Sequence, residues 1–147
     1  MAKKRRGHEY QLWIGTAGSG TAAAQLTNAT DINVKNPVQK ASTTVRGDGT
    51  SVPITTEGIV QIGVEITFTM LAKDDDANLV TLIDAARAGT PVCMKCFRYP
   101  GSGHKGFLGD VNVEVEEDAT LTGGMEIKFK CTANDDAAVA PQLNATF

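Results

Sequence analysis

The chain has 147 residues, of which 41% are hydrophobic and 21% charged, and its formal net charge is −3. This length forms one domain that buries a core without metals or disulfide bonds, and the composition excludes a disordered chain. No apolar run approaches the roughly 20 residues that span a bilayer, so we expect no transmembrane helix and no membrane partner.

Residues 1–9 are predicted to be a basic N-terminal tail, with Lys3, Lys4, Arg5 and Arg6 in succession. Such a run marks either a nucleic-acid or nuclear-import patch or a solvated tail, and we favour the tail. Because no apolar segment follows it, it is not a secretory signal, and we expect synthesis in a cytoplasm. Without these four charges the net charge of −3 becomes about −7, so the folded body should repel nucleic acid.

The first predicted strands are Tyr10–Ile14 and Ala29–Val34, with a glycine-containing segment between them. Gly18–Ala23 matches the dinucleotide-binding pattern G-x-G-x-x-A, which requires a following helix to receive the pyrophosphate. Only Ala22–Leu26 is free to form that helix, which is too short for a crossover between parallel strands. We therefore interpret the segment as a plain loop and expect no cofactor.

Residues 42–56 are predicted to be a polar loop between two strands. The segment has Gly47, Gly49 and several threonines, and it has no apolar face to pack into a core. It also contains the tripeptide Arg46-Gly47-Asp48, which integrins bind. Three fixed residues recur by chance in roughly a few per cent of chains of this length, so we interpret the tripeptide as part of a turn.

The segment Gly58–Leu71 has the strongest strand pattern in the chain. Every even position is apolar, and the odd positions from Gln61 to Thr69 carry polar residues or glycine. This period of two predicts one long strand that is buried on one face and wetted on the other. The residues expected to face inward are Val60, Ile62, Val64, Ile66, Phe68 and Met70.

One helix is predicted at about residues 75–88. Asp74, Asp75 and Asp76 supply an N-cap and favourable charge at its start, and Gly89 ends it before Pro91. An apolar stripe at helical spacing predicts that the helix packs on a sheet. The stripe consists of Leu79, Leu82, Ile83 and Ala86.

The remaining pattern is again that of strands. Val92–Tyr99 and His104–Leu108 flank a predicted hairpin turn at Pro100–Gly103. Two further strands alternate strictly, with Val111, Val113 and Val115 inward in the first and Met125, Ile127, Phe129 and Cys131 inward in the second. We predict a single mainly-β domain over residues 10–136, a β-sandwich or barrel with one packed helix, followed by a C-terminal extension at 137–147.

The chain has few groups arranged for chemistry. His8 and His104 are its only histidines, and neither has a neighbouring nucleophile and carboxylate in a recognisable arrangement. Cys93 and Cys96 have C-x-x-C spacing, but alternation along a strand sends them to opposite faces, which disfavours a metal site. Cys131 is expected to be a small buried hydrophobe. In an oxidising exterior, an exposed Cys93 or Cys96 would be able to cross-link to a neighbouring subunit.

The order and spacing of several segments resemble the tail tube (major tail) proteins of long-tailed bacteriophages. The points of likeness are ATDINVKNPVQKASTTVRGDG at Ala29–Gly49, TTEGIVQIGVEITFTML at Thr55–Leu71, Arg87–Val92 and Gly109–Val111. The resemblance covers about Ala23 to Ala133. It implies a non-enzymatic virion protein, without catalytic, metal or cofactor sites, that forms stacked hexameric rings. The inner strands of each ring would join into one barrel, and the tube would conduct DNA into a bacterial host.

The resemblance also implies partners and site residues. The expected partners are copies of the chain itself, a tape-measure protein, sheath, terminator and baseplate proteins, and viral DNA in transit without specific binding. The loop at 42–56 would be an arm that contacts adjacent protomers or the next ring. The predicted arm residues are Thr43, Thr44, Val45, Arg46, Gly47, Asp48, Gly49, Thr50 and Ser51. The candidate lumen-facing acids are Glu65, Glu114 and Glu116, whereas Lys128 and Lys130 are expected on a different polar face.

Other classes of protein remain open at this stage. One is the tube protein of a contractile injection or secretion machine, which would carry protein effectors. Another is a β-sandwich binding module that stays monomeric, and a third is an enzyme, for which no clustered nucleophile and base is present in the sequence.

Overall fold

The computed structural model describes residues 10–46, 53–73, 75–98, 105–119, 124–134 and 142–146. The elements in chain order are β1 (Gln11–Thr16), β2 (Ala24–Gln25), β3 (Ala29–Lys35), β4 (Val38–Arg46), β5 (Pro53–Ile62), β6 (Glu65–Leu71), α1 (Ala77–Ala88), β7 (Val92–Phe97), β8 (Lys105–Ala119), β9 (Met125–Ala133) and β10 (Gln142–Thr146). Among these described residues, no helix is long and apolar enough to cross a membrane.

Eight of the strands form one antiparallel sheet in the order β2-β1-β7-β8-β9-β6-β3, with β10 paired to the start of β8. The sheet curls into a half-barrel, as the prediction of a mainly-β fold with one helix requires. β8 joins its two halves, because Gly106–Val111 pair with β7 and Val111–Ala119 pair with β9. The two separate strands predicted around Leu108 and Val111 are therefore one strand of 15 residues.

Strict alternation correctly predicted the core side of β6 and most of that of β9. Ile66, Phe68 and Met70 are buried, and so are Ile127 and Phe129 on the neighbouring strand. The rings of Phe68 and Phe129 lie directly opposite each other in register and stack with 5.1 Å between their centroids. This pair lies in a core that β1, β7, β8 and the helix also line.

The predicted long strand at residues 58–71 is wrong, because the chain leaves the sheet in its middle. β5 ends at Ile62 and β6 begins at Glu65, and Pro37 lies across from the break. The Gly63 N–H donates to the Pro37 carbonyl at 2.7 Å, and a Cβ on Gly63 would lie 3.3 Å from the Pro37 ring. Ile62 is consequently 49% exposed rather than buried.

Alternation also overestimates burial at the ends of strands. Met125 was expected in the core but is 39% exposed, and Val115 is only half-buried. Both residues lie where β8 and β9 extend past the packed part of the core. A strand keeps its period of two beyond the point where another layer covers it, so the pattern alone cannot locate that point.

The helix is confirmed, with its start two residues later than predicted. Asp76 is the N-cap, and its side chain accepts hydrogen bonds from the N–H groups of Asn78 and Leu79. Gly89 ends the helix in the left-handed conformation, at φ 71°. The buried residues are Leu79, Leu82 and Ala85, whereas Ile83 and Ala86 are only half-buried.

The predicted loop at residues 42–56 is wrong for its described part. β4 and β5 pair with each other from Val38 opposite Ile62 to Arg46 opposite Pro53, and they form a separate two-stranded sheet, here called the ribbon. A polar segment can form such a ladder because its backbone groups pair with each other and threonine favours extended conformations. Nine residues of β4 at about 3.3 Å each give a ribbon roughly 30 Å long. Residues 47–52, with most of the integrin-type tripeptide, lie outside the described residues.

Two other predicted segments have definite places. The segment Gly18–Ala23 is a loop, as interpreted, and Gly18 and Gly20 both have positive φ. The predicted C-terminal extension contributes β10 to the sheet. The predicted turn at Pro100–Gly103 lies outside the described residues, although the strands on either side of it pair in antiparallel register.

Candidate assembly and lining surfaces

One side of β3, β6, β9 and the second half of β8 is polar and faces away from the core; we call it the polar face. β6 contributes Glu65, Thr67 and Thr69 to it, because these residues alternate with the buried Ile66 and Phe68. The candidate lumen acids Glu114 and Glu116 lie on the same face, since register places Glu114, Lys130 and Thr67 side by side on three adjacent strands. The structure thus places the three predicted acids on one face, with Glu65 on β6 and the other two on β8.

The lysines of β9 also lie on the polar face, which corrects the expectation of a different face. Lys130 is directly opposite Glu114, and Lys128 is directly opposite Glu116. Residues that are directly opposite each other in antiparallel strands share a face, so the pairing register decides the question. A third pair of the same kind joins β3 to β6, where Lys35 is opposite Glu65.

Charged side chains border a groove of about 520 Å³ on the polar face. Its lining includes Thr67 and Thr69 together with Asp31, Glu114, Glu116, Lys128 and Lys130. The Lys128 Nζ lies 3.8 Å from Asp118 Oδ2, and Glu126 is opposite Asp118 in register. The described acids of the face are Asp31, Glu65, Glu114, Glu116, Asp118 and Glu126, and its described lysines are Lys35, Lys128 and Lys130. Carboxylates are therefore in excess.

The four strands that carry the polar face end in two open edges. β3 is the last strand of the sheet order, and residues 112–119 of β8 pair with β9 but lie beyond the segment that pairs with β7. Within the described ranges, no strand pairs with the outer side of β3 or of this half of β8. Unpaired backbone N–H and C=O groups along a strand are a template for pairing with another chain.

The ribbon carries exposed apolar side chains on one side. Val38 and Ile62 are opposite each other and are 45% and 49% exposed, and Ile59, opposite Lys40, is 59% exposed. Lys40 lies two residues from Val38, so these side chains share a face. The Lys40 Nζ lies 3.7 Å from Glu57 Oε2. Of the predicted arm residues, Thr43–Arg46 belong to β4, and Gly47–Ser51 lie outside the described residues.

Cys93 and Cys96 are both buried in the protomer, so neither is the exposed thiol that a cross-link to a neighbouring subunit would require. Cys96 belongs to the core, and Cys93 points to the other side of the sheet, beside Gly15 and Asp110 in register. A folded-back loop covers that side, because a Cβ on Gly15 would collide with the Thr21 carbonyl. All three cysteines are free thiols in the protomer.

Asp110 holds this loop and was not singled out from the sequence. It is buried, and both of its carboxylate oxygens accept a hydrogen bond from the Gly18 N–H, at 3.1 and 3.0 Å. Buried carboxylates require such partners. The available signal was an aspartate directly before Val111, at the start of a predicted alternating strand, since aspartate is disfavoured in strands.

The burial of the thiols predicts low reactivity and a specific pH dependence. Burial raises the pKa of Cys131 from 9 to about 12, and it also raises the pKa of Cys93 and Cys96. We expect a thiol reagent to label none of the three cysteines quickly in the native protein and all of them after unfolding. Because the unfolded chain ionises first, the contribution of Cys131 to stability is complete below pH 9 and is lost as the pH rises through 12.

Thermal unfolding between pH 8 and pH 11 checks this pH dependence, and Cys131→Val is the matched variant because it lacks the thiol. Its melting temperature should decline less over this range than that of the unaltered protein. Disulfide-linked dimers on a non-reducing gel of freshly purified protein would contradict the buried, unreactive state of Cys93 and Cys96.

Among the described residues, no group of three His, Cys, Asp or Glu side chains is placed to hold a metal ion. What the described part of the chain presents instead is a polar sheet face, two unpaired strand edges and a protruding ribbon with exposed apolar residues. These are features of a protein that pairs with other chains.

No protein-family model matches the chain, and no curated protein matches it by sequence. Solved structures match over nearly the whole chain. A chain from the tail of an empty GTA particle, refined with C6 symmetry, matches with a TM-score of 0.70 at 13% identity. The match covers 97% of this chain and 100% of the GTA chain. The SPP1 tail tube also has a TM-score of 0.70 at 13% identity, covering 98% of this chain and 80% of its own.

A chain from the virion of a native gene transfer agent particle matches with a TM-score of 0.60 at 11% identity, and the match covers 97% of this chain and 100% of that chain. At identities this low, the likeness concerns the fold. The chain has the fold of phage tail tube structures, as its resemblance in sequence implied.

Proposed function

We propose that this protein is a structural, non-enzymatic virion protein that assembles into stacked hexameric rings and forms a tail tube, the conduit for DNA ejection into a bacterial host. The observation that carries the proposal is that β3, β6, β9 and the second half of β8, four adjacent strands of the eight-stranded sheet, share one polar face and end in two open edges. A monomeric binding module would leave both strand edges unpaired, whereas in a closed ring each edge pairs with an edge of a neighbouring copy.

The strand directions support closure of such a ring. β3, β6, β9 and β8 are paired antiparallel in that order, so β3 and β8 run in opposite directions. When copies are related by rotation, the β8 edge of one copy meets the β3 edge of the next in antiparallel orientation. Six copies of four strands make a closed barrel of 24 strands, which agrees with the six-fold symmetry of the GTA tail.

The faces of these strands suit a water-filled tube. Their apolar sides, with Phe68 and Phe129, are already covered by the protomer's own core. Their other sides form the polar face, which includes Glu65, Glu114 and Glu116, and closure of the ring would direct that face to the lumen. A large barrel with a polar interior holds a channel rather than a packed core.

The ribbon is the proposed assembly arm. It pairs with no other strand of the described chain, and it exposes Val38, Ile59 and Ile62 to water. Contact with an adjacent protomer or the next ring would bury these side chains and favour association. That gain must offset the entropy lost when the arm becomes ordered.

The proposed location is the tail of the virion, after synthesis in the host cytoplasm. The proposed partners are further copies of the chain, a tape-measure protein, and sheath, terminator and baseplate proteins. DNA would pass through the tube without specific binding.

Electron microscopy of the purified protein tests the proposal. We expect rings or long hollow tubes whose end views average with six-fold symmetry. A monodisperse species of 15.5 kDa in sizing experiments, at concentrations up to the millimolar range, would instead favour a monomeric binding module.

A further inference from the structure

We propose that Lys128 and Lys130 are counter-charges within the polar face and do not bind the polyanion that passes it. In this role they allow closely spaced carboxylates to fold onto one sheet, and the same carboxylates keep the two ammonium groups from holding nucleic acid. The inference rests on the proposed function for the identity of the cargo, but the charge arrangement belongs to the protomer.

The carboxylates of β8 are crowded on the polar face. Glu114, Glu116 and Asp118 are alternate residues of β8 that share the polar face, so neighbours are about 6.6 Å apart along the strand. Like charges at this spacing repel each other. All three side chains are exposed at the sheet surface, where water and salt weaken that repulsion and a nearby positive charge offsets it further.

The two lysines of β9 lie beside carboxylates of β8. Lys130 is directly opposite Glu114, and Lys128 lies between Glu116, its opposite residue, and Asp118, whose Oδ2 is 3.8 Å from Nζ. Opposite residues in antiparallel strands have Cβ atoms about 4.5–5.5 Å apart, and opposite charges there are favourable. The register therefore places a β8 carboxylate directly across from each lysine.

The polar face carries more negative than positive charge. The described residues of the polar face include six carboxylates and three lysines, so acids remain in excess after every lysine is matched. Binding to DNA gains free energy because the DNA releases condensed counterions when lysines neutralise its phosphates. A lysine beside carboxylates is partly neutralised by them and binds phosphate more weakly, and the excess acid repels the duplex.

The test removes the matching acids without changing the lysines. The triple variant Glu114→Gln, Glu116→Gln, Asp118→Asn removes the β8 acids beside Lys128 and Lys130, here called the unmatched lysines, and leaves three acids and three lysines on the described part of the polar face. Fluorescence anisotropy with a labelled 20-base-pair duplex at low salt should detect no binding by the unaltered protein. The triple variant should bind, and its log affinity should fall with log salt concentration at a slope of about −2, since each unmatched lysine contributes about −0.9.

Two further variants serve as controls. Adding Lys128→Gln and Lys130→Gln to the triple variant should abolish the binding, because the freed lysines are its cause. Asp75→Asn with Asp84→Asn removes acids from the exposed surface around the helix, away from the polar face, and should not create binding. Duplex binding by the unaltered protein that Lys128→Gln with Lys130→Gln removes, or a triple variant that binds no better than this helix variant, overturns the inference.

A second measurement applies even if the triple variant does not fold. Lys128→Gln with Lys130→Gln in the unaltered protein should lower the melting temperature by about 2–4 °C at low salt, and 1 M NaCl should remove most of that difference. An unchanged or raised melting temperature at low salt contradicts the counter-charge role.

These experiments are independent of tube formation, because they are performed on the unassembled fraction from a sizing column. If the protein forms no tubes but the charge variants behave as expected, the proposed function fails and the charge arrangement stands. If tubes form and the unaltered protein binds the duplex through Lys128 and Lys130, only the present inference fails.

Discussion

Deletion of Thr43–Ser51 from the ribbon should leave the domain folded and abolish tube growth. The described residues of the deletion, Thr43–Arg46, belong to β4, which pairs with no strand of the described chain other than β5, so the core loses none of its described contacts. Ser42 stays opposite Glu57 in register, and the residues between them supply a shorter turn. The copies would then lack the arm that we propose joins them.

Circular dichroism and thermal unfolding measure the fold of the deletion variant, and sedimentation followed by electron microscopy measures tube formation. We expect an unchanged spectrum and a sedimenting fraction that falls from most of the protein to none. Tubes of normal length from this variant would show that the ribbon is not an assembly arm.

Two substitutions test whether assembly needs the exposed apolar side chains of the ribbon when the ribbon keeps its full length. Ile59→Ser with Ile62→Ser should reduce sedimentation without lowering stability, because both side chains are exposed in the protomer. Val80→Ser is the matched control, since Val80 is 50% exposed but lies on the helix. It should leave assembly unchanged.

Phe68→Ala should cause the largest loss of stability, about 3–5 kcal/mol. The ring is buried and stacks on Phe129, so its removal leaves a cavity between β6 and β9. Domains of this size have total stabilities of about 5–15 kcal/mol, and a loss of this size therefore brings the protein close to unfolding. The polar face would be affected as well, because β6 carries Thr67 and Thr69 on its other side.

Urea unfolding of the unassembled protein measures this loss. Val80→Ala is the surface control and should change the free energy of unfolding by no more than about 0.5 kcal/mol. If Phe68→Ala cost less than about 1 kcal/mol, the stacked pair would not be part of a tightly packed core.

Local patterns in the sequence were sufficient for the helix and for three strand faces. Asp76 and Gly89 mark the helix ends through contacts with residues at most four positions away, and such contacts can be read from the chain. Alternation identified the buried sides of β6, β8 and β9 because side-chain direction in a strand depends only on parity. The same parity placed Glu65 and Glu114 on polar faces.

Other features depend on which segments meet, and no local pattern contains that information. Ile62 continues the alternation of Phe68, yet it lies in the ribbon because the chain leaves the sheet at Gly63. Cys93 is buried by a loop that Asp110 holds from a distant part of the chain. The face shared by the lysines of β9 and the acids of β8 became clear only from their pairing.

The amino-acid sequence by itself therefore determined the helix with its two ends, the core sides of β6, β8 and β9 and the acidic character of the chain, because these follow from propensity, parity and composition. Only the tertiary structure decided the register of β8 against β9, the separation of the ribbon and the two open edges. Strand pairing is a contact between distant segments, and its hydrogen bonds are made by backbone groups that are the same in nearly every residue. Partner and register are settled only when the whole core packs.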